Sequence, residues 1–203
     1  AKSAYSFLID KNTYYPPFVY WVSTPWILVF GRTYQAAVLS NVFFLIVITF
    51  STYTLGTKLW NRTTGILATI VMVSFPFVVG QFHEFQLDMP LTAMTIFSIV
   101  ALLKSNRWQN PLWSFIFGAS VGLGMLTKWP LPAFVIGPVL YELIGRVREI
   151  NYLPATQKKP AFFELFSNLA WSLGGWVVTA GPWYIRHLES LKSNLGVNWE
   201  TGT

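Results

Sequence analysis

Charged residues divide this chain into long uncharged stretches. Residues 33–57 run for 25 positions without a charge, 63–82 for 20, 108–127 for 20 and 165–185 for 21. Two shorter stretches, 89–103 and 129–141, run for 15 and 13. About 20 apolar residues, in a range of about 17–25, carry a helix across the hydrocarbon of a bilayer. Four stretches meet that length. The fifth gains from Lys104, whose stem can lie along apolar surface while its ammonium reaches water. The sixth extends past Glu142 to about Gly145 when Glu142 sits near an interface. No barrel-type alternation is visible, and in lipid a helix satisfies its own backbone. The expectation is an all-α, polytopic transmembrane helix bundle. It has about six spanning helices between residues 33 and 185, within one membrane-embedded domain covering 1–203.

The remaining segments fit around those spans. Residues 1–32 include "YYPPFVYWVSTPWILVFG", aromatic and interrupted by proline. This stretch reads as an amphipathic segment on the outer interface, where Trp and Tyr keep one end wet. Residues 146–164, "RVREINYLPATQKKPAFFE", read as a loop with two prolines and four basic side chains, and 186–203 as the start of an extracytoplasmic region. Six spans place both termini on one side, and the basic residues then sort. Lys58, Arg62, Lys104, Arg107, Arg146, Arg148, Lys158 and Lys159 fall on one set of connections, and only Lys128 on the opposite set. The first set is expected in the cytoplasm by the positive-inside rule. The glycosylation sequon Asn61-Arg62-Thr63 then faces the cytoplasm and is discounted.

Composition agrees. The 203 residues are 53% hydrophobic and only 11% charged, with mean hydropathy +0.46, against about 25% charged in a soluble domain. Aromatics reach 18% with ten Trp, in keeping with interfacial belts. The absence of cysteine excludes a disulfide framework and a Cys-based metal site. The net charge of +6 fits a bilayer partner with basic cytoplasmic loops, and no nucleic acid is expected. A first residue Ala1 and a last stretch "NWETGT" suggest part of a longer protein.

The topology also gathers polar groups. Lys128 stands between two apolar runs in "GASVGLGMLTKWPLPAFVIGP" and caps one outer hairpin. The other, "GQFHEFQLDMPL", carries His83, Glu84 and Asp88. Arg186, in "GPWYIRH", and the segment around Tyr15 and Pro16 reach the same face. A cation, two carboxylates, a histidine and an arginine on one outer surface suit an anionic lipid-linked substrate. Plainer readings stay open. Lys128 can be a snorkelling side chain, and His83 and Glu84 solvated turn residues. Asp88 can cap the helix that Pro90 opens. A His-Glu pair without a third ligand is a weak metal signal, so no metal is assigned. Gly118-x-x-x-Gly122-x-Gly124 reads as a close helix-packing surface.

Taken in order, "YYPPFVYW" with "LVFG", "LDMPL", "GLGMLTKWP" and "GPWYIRHL" resemble the membrane-embedded C-type glycosyltransferases of the dolichyl-phosphate-mannose–protein mannosyltransferase-like group, which includes the bacterial aminoarabinose transferases. The resemblance implies transfer of a sugar from a polyprenyl-phosphate donor to a lipid, protein or glycan acceptor at the extracytoplasmic face of the plasma or inner membrane. It implies no nucleotide cofactor. In the family an Asp-Glu or Asp-Asp pair ahead of Tyr-Pro-Pro deprotonates the acceptor. Here only Asp10 lies between residue 1 and Tyr15, so the main catalytic acids are expected upstream of Ala1. By the same resemblance, Asp88 faces the sugar or seconds that base. Lys128, where relatives more often read Leu-Thr-Lys-Gly, contacts a phosphate. Tyr15, Pro16 and Pro17 shape the interface near the carrier, and Arg186 holds a phosphate. A membrane transporter and a non-catalytic membrane subunit are the alternatives. Charges at helix ends rather than mid-helix weigh against transport.

Overall fold

The computed structural model describes residues 16–188. Among these residues the chain is helices and turns, with no strand. In order the helices are α1 (Phe18–Phe30), α2 (Tyr34–Val38), α3 (Asn41–Leu59), α4 (Arg62–Ser74), α5 (Pro76–Phe82), α6 (Asp88–Lys104), α7 (Pro111–Met125), α8 (Leu131–Tyr152) and α9 (Ala155–Thr179). Residues 181–188 are also helical.

Each uncharged stretch becomes helix, but several boundaries differ from the expectation. The 63–82 stretch is two helices, α4 and α5, bent by 59°. Pro76 lacks an N–H and forces Phe75 into an extended conformation (φ −65°, ψ 125°). The stretch at 108–127 starts its helix only at Pro111, because residues 106–108 are left-handed. There Asn110 caps α7 by accepting from the Trp113 N–H at 3.1 Å.

The expected loop at 146–164 is mostly helix: α8 runs on to Tyr152, α9 begins at Ala155, and only two residues connect them. Charges do not end α8 because they are paired. Buried Glu142 meets Arg107 at 3.3 Å, and buried Arg146 meets Glu164 at 2.6 Å. Pro160 costs α9 a backbone hydrogen bond. Ala161, Phe162 and Leu165 repack that loss against Leu102, Trp108 and Ile150. At the other end of the chain, the proline-interrupted segment forms a 13-residue helix, α1, with Pro25 inside it.

Helix α3 sits between α4 and α6, α6 between α3 and α7, and α7 between α6 and α9, while α8 leans on α6 and α7. Glycine makes the closest of these contacts. A Cβ on Gly56 of α3 would stand 2.8 Å from the Gly65 Cα of α4. A Cβ on Gly118 would overlap the Ser172 carbonyl, and one on Gly175 the Phe115 carbonyl, so α7 and α9 touch backbone to backbone. Of the three glycines in the α7 motif, Gly118 and Gly122 face α9 and Gly124 faces Leu131 and Met94.

Two apolar clusters fill the interior. One gathers Phe18, Phe44, Met94, Leu126 and Leu131, the other Leu102, Trp108, Phe117 and Ile150. The outside is apolar as well: Ile46, Phe50, Leu67, Val71, Phe134, Phe166, Leu173 and Val178 are all exposed. By length and composition the stretch Tyr34–Leu59, α2 continued into α3, can cross a membrane alone, and the bent α4–α5 pair makes a second if it forms one span.

Candidate functional site

Helix polarity sorts the polar residues between the two ends of the bundle. Asp88 opens α6 and Lys104 closes it. At the Lys104 end, Lys58 Nζ donates to the Leu103 carbonyl, and Arg107 and Arg146 pair with Glu142, Glu149 and Glu164. At the Asp88 end stand the start of α3, residues 81–88 and the turn at 126–130.

That turn is fixed from several sides. Both Thr127 and Lys128 donate their backbone N–H to the Gly124 carbonyl at 3.0 Å. Phe18 N–H, at the start of α1, donates to the Leu126 carbonyl at 3.1 Å. Tyr184 Oη donates to the Met125 carbonyl at 3.1 Å, and Trp176, stacked on Tyr184, places its indole N–H 3.1 Å from Met125 Sδ. Lys128 therefore projects from a braced turn. Its Nζ lies 2.9 Å from Asp88 Oδ1.

Asp88 is in the first turn of α6, where the helix dipole favours a carboxylate. It does not cap the helix: Leu87 occupies the N-cap position, with no side-chain cap bond. The two residues are 40 positions apart and both side chains are partly open to the outside, Lys128 41% and Asp88 48% exposed. An ammonium has three N–H donors, and Asp88 takes one of them. Asp88 Oδ2 has no partner among the described residues.

The other candidate residues are placed as follows. His83 is exposed, ends α5, and sets Nδ1 2.8 Å from the Val79 carbonyl of its own helix. Glu84 is exposed and accepts from Gln86 Nε2. No hydrogen bond or ion pair joins either to Asp88 or Lys128. Pro16 is buried just ahead of the Phe18–Leu126 bond. Arg186 is exposed, with no ion pair among the described residues. Tyr15 lies outside the described residues. Among these residues no three His, Asp or Glu side chains lie close enough together to hold a metal ion.

Two positioning residues escaped the reading of the sequence. Asn41 is fully buried at the start of α3, and its Nδ2 donates to the Phe82 carbonyl at 3.0 Å and the Glu84 carbonyl at 2.8 Å. Tyr34 Oη accepts the Phe85 N–H at 3.1 Å. Together they pin the chain that leads to Asp88. The available signal was an amide side chain inside the apolar run 33–57, since a buried amide needs partners. Asn41→Leu leaves the two part-buried carbonyls of Phe82 and Glu84 without their donor. It is expected to cost about 1–3 kcal/mol, read as a lowered unfolding midpoint, and to loosen the 82–88 segment in hydrogen exchange.

The model of the family described as dolichyl-phosphate-mannose-protein mannosyltransferase matches residues 15–171. Among curated proteins the chain is similar to the undecaprenyl phosphate-alpha-4-amino-4-deoxy-L-arabinose arabinosyl transferases of Yersinia pestis (strain Pestoides F) and Yersinia pseudotuberculosis serotype O:1b (strain IP 31758). Each is 29% identical over 133 residues, 61% of this chain and 24% of the relative. The chain thus spans about a quarter of the length of the curated relatives it matches. No solved structure matches it. Because the match at 15–171 takes in most of the described helices and both members of the Asp88–Lys128 pair, the chain belongs to the dolichyl-phosphate-mannose-protein mannosyltransferase family.

Proposed function

We propose that this chain is the membrane-embedded part of a glycosyltransferase that takes a sugar from a polyprenyl-phosphate donor at the extracytoplasmic face of the membrane. The acceptor is a lipid, protein or glycan hydroxyl. The observation that carries the reading is the Asp88–Lys128 pair, 2.9 Å apart, at the bundle end opposite eight basic residues. Its membrane setting is supported by the exposed apolar side chains on α3, α4, α8 and α9, since soluble monomers rarely expose apolar patches beyond a few hundred Å². The six spans are α3, the α4–α5 pair, α6, α7, α8 and α9, with α1 lying along the outer interface.

In this reading Lys128 binds the donor phosphate. As the acceptor oxygen attacks the anomeric carbon, the bond from that carbon to the phosphate oxygen breaks and negative charge grows on the phosphate. A fixed ammonium at a low-dielectric boundary stabilises that charge more than it stabilises the ground state. Asp88 holds the ammonium by Oδ1 and offers Oδ2 to a sugar hydroxyl. Arg186 gives a second cation for the phosphate, and His83 and Glu84 bound the site on the α5 side. The base that takes the acceptor proton is placed in the acidic segment expected ahead of Tyr15. No nucleotide cofactor is required.

Two features point toward transport instead: the 59° break at Pro76, since transporters place substrate at broken helices, and the buried charges Glu142 and Arg146 inside α8. The 63–82 stretch carries no charge to hold an ionic substrate at its break, and Glu142 and Arg146 are held in ion pairs with Arg107 and Glu164 at the Lys104 end.

Sidedness is tested by labelling. The chain has no cysteine, so it contributes no background to a single introduced one. A cysteine at Trp129 is expected to react with a membrane-impermeant maleimide from outside intact cells, and one at Lys158 only after permeabilisation. The opposite pattern removes the proposal.

A further inference from the structure

The bundle end away from Asp88–Lys128 holds its own polar arrangement. Asn106, Arg107 and Trp108 have successive positive φ angles of 52°, 58° and 58°. Left-handed backbone is unfavourable for residues with a Cβ, so neighbours must hold it. Trp108 supplies the hold. Its indole N–H donates to Ser172 Oγ at 3.1 Å, and its carbonyl accepts from Asn168 Nδ2 at 2.7 Å. The turn lays Arg107 across α8 at Gly145, where a Cβ would stand 3.0 Å from the guanidinium carbon. There Nε meets Glu142 at 3.3 Å and Nη1 pairs with Glu149. Nη2 has no partner among the described residues.

Beside this guanidinium opens a cavity of about 480 Å³, walled by Arg107, Arg148, Glu149, Tyr141, Ile144 and Tyr152. Residues 141, 144, 148 and 152 follow helical spacing along α8. Along the stripe Tyr141 and Ile144 come first and Arg148 next, and a second aromatic ring, Tyr152, closes it at the helix end. Arg148 is exposed and unpaired among the described residues. The two arginines and Glu149 leave the wall with one net positive charge. The whole end carries eight basic residues against Glu142, Glu149 and Glu164, an excess of five.

We propose that this cavity binds the head group of an anionic phospholipid of the leaflet opposite the transfer site. Its phosphodiester sits between Arg148 and Arg107 Nη2, and its acyl chains run along Ile144 and Tyr141. One phosphodiester charge neutralises the wall. The step from Tyr141 and Ile144 to Arg148 matches the lipid's change from tail to head group, with Tyr152 beyond it, and basic pockets on the cytoplasmic side of membrane helices receive such head groups. The inference rests on the bundle spanning a membrane and not on the transfer chemistry.

Native mass spectrometry of the delipidated full-length protein tests it, with phosphatidylglycerol, phosphatidylcholine and glycerol 3-phosphate titrated separately. Phosphatidylglycerol is expected to bind at least about tenfold tighter than phosphatidylcholine, and Arg148→Ala to weaken it about tenfold. Lys158→Ala, a charge loss at the same end but outside the cavity, should leave binding unchanged. Arg148→Gln repeats the test with a longer polar side chain. Equal weakening by the Arg148 and Lys158 variants overturns the proposal as diffuse attraction. Equal binding of the two lipids overturns it, and so does glycerol 3-phosphate binding as tightly as the lipid, which marks a soluble-phosphate site. A protein that passes here yet transfers no sugar sinks only the transferase reading.

Discussion

Lys128→Ala and Asp88→Asn, each in the full-length protein, are expected to cut sugar transfer about tenfold or more while leaving the unfolding midpoint nearly unchanged. The two effects separate for a physical reason. The pair is 41% and 48% exposed, and ion pairs so open to their surroundings contribute only about 0.2–1 kcal/mol to stability. Charge-assisted contact with a phosphate whose charge grows during the reaction is worth more, about 1.5–3 kcal/mol. That range corresponds to roughly 10- to 150-fold in rate. The turn that carries Lys128 keeps its backbone bonds to Gly124, Phe18 and Tyr184 in either variant. The loss should therefore fall on the reaction and not on folding.

The double variant sharpens the test. If Asp88 acts by holding the ammonium, removing both residues should cost little more than removing Lys128 alone, a coupling of the kind seen between contacting residues. Lys128→Arg keeps a cation but swaps a compact ammonium for a planar fork, so it should recover only part of the rate. Full activity in both single variants, measured with a lipid-linked sugar panel in nanodiscs and with normal expression, takes the pair out of the site.

The helical class and the Asp88–Lys128 end are legible in the sequence, because long uncharged runs have to be helical and their alternating direction brings every second turn to one end. Asp88 and Lys128 are 40 residues apart, yet both stand beside uncharged runs that topology brings to one end. Helix boundaries are harder to read, since a charge in the sequence does not show whether it ends a helix or is paired inside one. Glu142 and Arg146 are paired across helices and so continue inside α8. A partner in another helix leaves no mark in local sequence. Pro76 is the exception that local sequence does mark: Phe-Pro inside a 20-residue apolar run breaks it. The brace of Asn41 and Tyr34 depends on carbonyls and an N–H forty to fifty residues away. The three left-handed residues at 106–108 were beyond prediction, because Asn-Arg-Trp has no glycine to advertise them.

Gly118→Leu is expected to be the most destabilising single change among the described residues' glycines. Helices α7 and α9 run parallel and meet where Gly118 faces the Ser172 backbone, with Gly175 facing Phe115 on the reciprocal side. A side chain at 118 cannot escape by rotating, because the Cβ itself overlaps the Ser172 carbonyl. The helices must move apart, which strips the contacts of Phe117, Trp108 and Leu165 in the adjoining cluster and breaks the Trp108–Ser172 hydrogen bond. Overpacking a tight core costs about 1–3 kcal/mol where neighbours can adjust. With backbone as the obstacle and a buried indole N–H left without its acceptor, the sum should exceed about 4 kcal/mol. Set against a total stability of about 5–15 kcal/mol, that change should leave most of the protein unfolded or degraded. Gly174→Ala is the matched control. It sits inside α9 with nothing within 4 Å of a new Cβ and no proline after it, so alanine should be neutral or stabilise by up to about 1 kcal/mol. Midpoints that fall equally for the two variants would mean that backbone contact between α7 and α9 does not hold the bundle together.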